Sequence, residues 1–395
     1  MKKKQIKSIS YGKQYIDRED INSVNKVLKS QFLTQGPYVK KFENKLKKIT
    51  LSKYAVSANS ATSCLMLACR ALELKKNDLV WTSPITFVST ANSAIHCGAK
   101  VDLVDIDLES GNISIKSLKK KLLDAKKKNQ LPKLLIPVHF AGQPTEQKEI
   151  WKLSKKYNFK ILEDASHSIG AKHHKEIVGS CKWSDIVVMS FHPVKPITTG
   201  EGGVALTNKK KLAQKMELLR THGIEKKLNK NINREIGDWY YEHRELGFNF
   251  RLSDIHASLG ISQLRKLKHF ISERNKIAKR YDKIFKNNEN IFPLQIKNYN
   301  YSSYHLYVIR IVSDKLNIRN KLIKFLKSKN IFLNVHYIPV HYHPFYKKMK
   351  IKRSLLKNSE KYFDQALSLP IYVGLKKKDQ IYVTKCINNF IVNNK

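Results

Sequence analysis

The stretch "VVMSFHPVKPITTGEGG", residues 187–203, sets one lysine, Lys195, in a stiff and apolar frame. Prolines at 193 and 196 restrict the backbone around it. An apolar, β-rich run precedes it and ends in Ser190, and Gly200, Gly202 and Gly203 follow. A second β-rich run, "ILEDASHSIG" (161–170), ends in Glu163 and Asp164 and continues through small residues to His167. Working outward, similar runs recur as "DLVWTS", "KVDLVDID", "KLLIPVHF" and "GVALTN". Helical spacing marks "DREDINSVNKVLKS" (17–30), "SATSCLMLACRALEL" (60–74) and "EQKEIWKLSKKYN" (146–158). Strands alternating with helices predict an α/β fold with a mostly parallel sheet. Ligands of such sheets gather at the carboxyl ends of the strands, so Asp164, Ser190 and Lys195 are expected to face one crevice.

After residue 209 the pattern changes. "HFISERNKIAKRYDKIF" (269–285) predicts a long helix leaving the first domain, "SSYHLYVIRIV" (302–312) an alternating strand, and "IRNKLIKFLKSKNI" (318–331) an amphipathic helix. The expected organisation is a large α/β/α domain over residues 1–260 and a smaller α+β domain over 261–395. The N-terminal segment is expected to contribute to the substrate site.

Hydrophobic residues make up 42% of the 395, enough for a sizeable core. No run approaches the ~20 apolar residues that span a bilayer, and the basic start "MKKKQIKSIS" lacks the apolar stretch of a signal peptide. A soluble, cytoplasmic protein without a membrane partner is expected. The five cysteines include no C-x-x-C pair and read as free thiols. The net charge of +43 raises the question of nucleic acid. Its lysine runs, at 2–4, 119–121, 126–128, 209–211 and 376–378, are scattered and lack interleaved aromatics. They read as solvated surface, with a positive field that draws in anionic small molecules. No helix-turn-helix pattern supports the alternative of a DNA-binding regulator.

Residues 200–205 fit a loose G-x-G-x-x-A pattern, but a β-rich run follows where a dinucleotide fingerprint would open a helix. The glycines read instead as a turn that lets backbone approach a ligand. His336, His341 and His343, in the strand-like "VHYIPVHYHPF", and His173 with His174 have no acidic or cysteine ligand nearby. They read as loop or pocket lining, and no metal site is expected. A carboxylate, a hydroxyl and a lysine on neighbouring strand ends are what pyridoxal phosphate requires. The lysine bonds to its aldehyde, the carboxylate pairs with the pyridinium nitrogen, and donors hold the phosphate. The helix opened by "NSATS" adds hydroxyls and free N–H groups at Asn59, Ser60, Ala61 and Thr62, an anion site. Each part has a plainer reading: Asp164 and Ser60 as helix caps, and Phe87 as a core aromatic rather than a ring stacked on the cofactor.

At these residues the chain resembles the sugar aminotransferases of the DegT/DnrJ/EryC1/StrS family. The resemblance runs from "YGKQYIDREDINSVNKVLKSQFLTQGP" through "NSATSCL", "ITFVSTANSA", "ILEDASHSIG", "GEGGVALTN", "LRTHGI" and "GFNFRLSDIHASLG" to "HYIPVHYHPFY" and "LSLPIY". It implies the aspartate aminotransferase fold (fold type I), pyridoxal 5'-phosphate as cofactor, and Lys195 as the catalytic lysine. It implies Asp164 at the ring nitrogen, His167 beside the ring oxygen, Phe87 on the ring face, and Ala61, Thr62 and Ser190 at the phosphate. Asn249 would reach the phosphate from a neighbouring subunit, which implies a homodimer with shared sites. Tyr11, Gln31, Phe32, Leu33, Thr34, His336 and Tyr337 match segments that line the nucleotide-sugar site. Some members carry histidine in place of the lysine and are dehydratases; Lys195 argues for amino transfer from glutamate. "SFHPVKPITTGEGG" most resembles the branch that aminates C4 of a UDP-4-keto-6-deoxy-N-acetylhexosamine in pseudaminic acid biosynthesis. The alternative is another nucleotide-linked 4-keto sugar, of bacillosamine, perosamine or aminoarabinose type.

Overall fold

Seven strands form the central sheet: β1 (Tyr54–Ala58), β2 (Leu79–Thr82), β3 (Lys100–Leu103), β4 (Leu134–Ile136), β5 (Lys160–Asp164), β6 (Ile186–Ser190) and β7 (Gly203–Thr207). The structure is a computed structural model and describes residues 8–225, 239–349 and 351–394; the lysine run at 2–4 lies outside them. The lateral order is β1-β7-β6-β5-β4-β2-β3. Only β7 runs antiparallel to its neighbours; the other pairings are parallel. All six apolar runs are strands of this sheet. β1 is the strand that "KYAVSAN" does not announce, being short and rich in alanine and serine.

Eight helices accompany it: α1 (Arg18–Leu28), α2 (Pro37–Thr50), α3 (Ala61–Ala71), α4 (Ser89–Ile95), α5 (Ile115–Lys127), α6 (Gln147–Tyr157), α7 (Lys210–Arg220) and α8 (Asp254–Phe285). Both sheet faces are covered, which is why "IVVMS" is apolar throughout instead of alternating with polar residues. Its side chains still divide by period two. Val188 joins Val56, Ala58 and Ala205 under α3, α4 and α7. Val187 and Met189 join Val204 and Leu206 under α2 and the first half of α8. Farther along, Trp81, Leu135 and Ile161 pack with α5 and α6.

α8 begins at Asp254, capped by the Ser253 hydroxyl on the His256 N–H, well before the start expected at 269. Gly260 weakens the helical pattern there. A Cβ at that position would lie 2.6 Å from the Phe42 ring, so glycine permits the close crossing of α8 over α2. The second half of α8 (Ile277, Ala278, Tyr281, Phe285) enters another core. There it meets the antiparallel strands β8 (Ile291–Pro293), β9 (Tyr307–Ile311) and β10 (Ala366–Leu369), with α9 (Ile318–Ser328) and the helix Lys377–Val392. β9 starts at 307, so residues 302–306 are loop rather than strand. "VHYIPVHYHPF" is likewise not a strand: Val340–Tyr342 is one 3-10 turn and Pro344–Lys347 one helical turn. Prolines interrupt its ladder capacity, while Val340 and Tyr346 are anchored in the core beneath the sheet. All five cysteines are free, Cys97 being half-buried and the rest buried. No helix among the described residues is long and apolar enough to cross a membrane.

Candidate active site

Strand register brings the functional residues to one edge of the sheet. Gly203 opens β7 opposite both Ala58, the last residue of β1, and Ser190, the last of β6. Asp164 ends β5 beside Val188 of β6. The turn into α3, the carboxylate and the lysine loop are therefore adjacent in space. They line a cavity of about 640 Å³ together with Tyr11, Phe87, His305 and Tyr337, a size ordinary for a small-molecule site.

The glycine cluster makes close contacts around the cavity. A Cβ on Gly203 would lie 2.5 Å from the Ala61 nitrogen, and one on Gly202 would lie 2.3 Å from the Thr199 hydroxyl. Gly203 lets β7 press against the start of α3, the helix end that lines the cavity. Ser60 caps α3 by accepting the Ser63 N–H. Ala61 and Thr62 precede that bond and line the cavity. The first N–H groups of a helix have no partner inside it, so this end is a cradle for an anion. Beneath it Glu43, almost fully buried, accepts from the Ser57 N–H and hydroxyl and from Arg220, whose guanidinium also donates to the Ser57 carbonyl. This ion pair fixes the end of β1 that leads into the cradle.

Asp164 is buried, and its oxygens are occupied. Oδ2 accepts from the Thr90 hydroxyl at 2.6 Å and Oδ1 from the Ser166 N–H at 3.1 Å. Thr90 spends its one proton on Asp164, so the Thr86 hydroxyl, 2.7 Å away, must donate to Thr90. This polar relay orients the carboxylate from α4, and sequence reasoning does not reach it. Two threonines four residues apart, the first in the loop before α4 and the second in its first turn, are the signal that could have.

Lys195 sits on a loop closed at its base by bonds from Phe191 N–H to the Gly202 carbonyl and from Thr199 N–H to the Phe191 carbonyl. Its own N–H donates to the His192 carbonyl, making a tight turn between the prolines. Burial lowers its amine to about 8 despite the opposing pull of the Asp164 charge. A neutral amine is thus accessible near physiological pH. Three histidines surround it. Burial, and then the Lys195 charge, hold His167 and His305 well below the usual histidine range and His336 at about 3. His167 Nε2 lies 3.1 Å from the Tyr337 hydroxyl, and its Nδ1 is buried with no partner among the described residues. His336 Nδ1 is 2.8 Å from the Ser368 hydroxyl. Burial pushes the Tyr337 phenol up, with Asp164 adding to it.

Of the residues expected in the site, Tyr11, Ala61, Thr62, Phe87, Asp164, His167, Ser190, Lys195, His336 and Tyr337 line this cavity. Phe87 is 58% exposed, an aromatic at the cavity wall and not a core residue. Asn249, Gln31, Phe32, Leu33 and Thr34 do not line it. They are exposed on the surface, tied by the bridges Thr221↔Asn249 and Thr34↔Ser253 and by the Asp254 N–H on the Leu33 carbonyl. His341 faces Glu360 and His173 faces Asn300 instead of forming a cluster. Among the described residues no group of three histidine, cysteine or acidic side chains is arranged for a metal.

The residues present fit pyridoxal phosphate: an open helix end for the phosphate, a buried carboxylate with two donors, an unpartnered His167 nitrogen, and an amine inside the same cavity. Comparison with known proteins agrees. Residues 14–388 match the DegT/DnrJ/EryC1/StrS aminotransferase family. The chain is 40% identical over 375 residues, 95% of each chain, to the UDP-4-amino-4,6-dideoxy-N-acetyl-beta-L-altrosamine transaminase of Campylobacter jejuni. Its structure superposes on Helicobacter pylori PseC, an aminotransferase of pseudaminic acid biosynthesis, with a TM-score of 0.88, covering 97% of this chain and 99% of that one at 32% identity. The PLP-form of the putative sugar aminotransferase Spr1654 from Streptococcus pneumoniae superposes with a TM-score of 0.87 at 25% identity, covering 97% of this chain and 98% of that one. The chain belongs to the DegT/DnrJ/EryC1/StrS aminotransferase family, a pyridoxal-phosphate-dependent group of transferases.

Proposed function

We propose that this protein moves an amino group from glutamate to C4 of a UDP-4-keto-6-deoxy-N-acetylhexosamine. The product is UDP-4-amino-4,6-dideoxy-N-acetyl-β-L-altrosamine, an intermediate of pseudaminic acid biosynthesis. The observation that carries amino transfer is the placement of Lys195 and Asp164 in one cavity beside the open end of α3. The choice of sugar is supported by the 40% identity to the Campylobacter jejuni transaminase over nearly the whole chain.

Bound pyridoxal phosphate supplies an electron sink and a carrier for the amino group. The protein supplies the rest. Ala61, Thr62 and Ser190 would hold the phosphate, and Phe87 would cover a ring face. Asp164, aligned by Thr90 and Ser166, holds a proton at the ring nitrogen by its negative charge. Lys195, once its amine is free and neutral, would take the proton from the amine-bearing carbon of the donor and deliver it across the nitrogen to the carbon that had been the cofactor's aldehyde. In the second half of the cycle it moves a proton in the reverse sense to C4 of the sugar. Tyr11, His336 and Tyr337 border the side where the sugar would lie. The positive field of the chain favours entry of a diphosphate.

Asn249 and residues 31–34 acquire a role if the enzyme is a homodimer in the cytoplasm whose cavities are completed by the opposite subunit. Their exposure, with Thr34 bridged to Ser253 and Asn249 to Thr221, supports that reading. The deciding experiment is amino transfer from glutamate to a panel of UDP-4-keto sugars, with product configuration read by NMR. Preference for the altrosamine precursor is expected. Preference for a bacillosamine-, perosamine- or aminoarabinose-type sugar would reassign the substrate. No transfer to any of them, with cofactor bound, would refute the activity.

A further inference from the structure

His305 stands two residues before β9 in "SSYHLYVIRIV", where the sequence pattern reads as strand and assigns it no chemistry. In the structure it is 4% exposed, and its Nε2 lies 3.4 Å from the Lys195 amine. Its ring centre is 4.3 Å from that of His167. Its Nδ1 is buried with no partner among the described residues. The lysine amine and this imidazole are therefore in contact inside the cavity.

The backbone of His305 is held from several sides. Arg274 of α8, a guanidinium 2% exposed, donates to the carbonyls of Tyr304, His305 and Ile371 at 3.0–3.3 Å. The Leu306 N–H bonds to the Ala141 carbonyl, and the Ser303 hydroxyl donates to the His167 carbonyl. A Cβ on Gly142, at φ +100°, would come within 2.9 Å of the His305 nitrogen. Such confinement fixes where the ring points.

We propose that His305 is a further residue of the proton-transfer machinery: its imidazole receives the Lys195 amine as a hydrogen-bond partner whenever that amine is not bonded to the cofactor. A neutral imidazole suits this because Nε2 can either accept or donate, depending on which nitrogen carries the hydrogen. It accepts from the ammonium form of the lysine and donates to the lone pair of the amine form. Lys195 can thus gain and lose a proton without leaving either form unpaired on the side that faces His305. The groups facing this pair favour a neutral imidazole. Lys195, His167, Arg274 and His336 all oppose a positive charge on His305, and burial opposes it more. Asp164 acts on Lys195 in the opposite sense, favouring its charge.

This inference rests on the amino-transfer reading, and two measurements separate the two. The first uses full-length wild-type enzyme with 15N-labelled histidine, without cofactor and in its pyridoxamine phosphate form. The His305 signals, identified by their loss in His305→Gln, should shift with the titration of Lys195 near pH 8 and lose that step in Lys195→Ala. His305 signals indifferent to Lys195 would overturn the proposal, whatever the enzyme's substrate. The second compares His305→Phe with His305→Gln at matched thermal stability and cofactor content. His305→Phe should lower kcat on the order of 10- to 100-fold, with KM for glutamate changed less than about threefold. The isotope effect from α-deuterated glutamate should rise, and His305→Gln should recover most of the rate. Normal kcat and an unchanged isotope effect in His305→Phe would also overturn it. If the wild type transfers no amino group, the activity assignment fails instead, and the NMR result still stands for or against the contact.

Discussion

Two regions that the family resemblance assigns to one site differ sharply in this chain. At the sheet edge, Asp164, Ser190 and Lys195 converge in a single cavity, and the polar atoms of Asp164 are served from inside the molecule. On the surface, Asn249 and residues 31–34 are exposed and outside that cavity, although both are pinned by backbone bridges close to the start of α8. The first region is preorganised by one chain: sheet topology delivers the groups, and side chains from α4 and α7 hold them. The second is held by backbone bridges and contributes nothing to the lining of that cavity. The contrast teaches that the fold of one subunit is enough to bring Asp164, Ser190 and Lys195 together, whereas Asn249 and residues 31–34 enter the site only under the proposed dimer.

The largest effect should come from the preorganised region. Lys195→Ala is expected to reduce amino transfer on the order of 10⁴-fold and to abolish the visible absorbance of lysine-bound cofactor, read by spectrophotometry. Retention of that absorbance would place the bonding lysine elsewhere. Next, Arg220→Ala removes the closer of the two cations on buried Glu43, leaving Lys40 at 3.6 Å. A loss of about 1.5–3 kcal/mol in unfolding free energy is expected, together with weaker cofactor binding because Ser57 leads into the cradle. Denaturant titration checks the first and equilibrium dialysis the second; a surface-like change below ~1 kcal/mol would mean the pair is not structural.

Asn249 tests the other side of the contrast. Asn249→Ala should weaken cofactor binding about 10- to 100-fold, the value of a hydrogen bond to a charged group. Mixed with Lys195→Ala, it should regain activity through hybrids that assemble one intact site. Hybrids shown to form by mass spectrometry yet inactive would confine the site to one subunit. The smallest effect is on pH dependence. The amine of Lys195 must lose its proton to bond the cofactor, and its folded value is about 8. Capture of cofactor by the cofactor-free enzyme should therefore quicken about tenfold per pH unit below that value and level off above it. No further limb from His167, His305 or His336 is expected near pH 6.5, because all three are held neutral there. Stopped-flow absorbance across pH 5.5–9.5 would reveal such a limb if any of them titrates.

Much of the fold was legible because its strands are buried on both faces and announce themselves as apolar runs. What escaped did so for local reasons. β1 carries small residues that pack under α3 and give little hydrophobic signal. The first half of α8 hides behind Gly260, which close packing on Phe42 requires. "VHYIPVHYHPF" alternates like a strand, yet prolines and an anchored Val340 turn it into successive tight turns.

By itself the sequence determined the chemical parts: a lysine between prolines, a carboxylate at a strand end, and a helix opened by serine and threonine. These are readable because bond-forming and charge-pairing groups have few substitutes. Only the tertiary structure decided how the parts are supported. The Thr86–Thr90 relay onto Asp164, the Glu43–Arg220 pair under the cradle, the glycines that admit β7, and the contact of His305 with Lys195 join residues distant in the chain. Such contacts are set by register and crossing geometry, and no local pattern in either partner records the other.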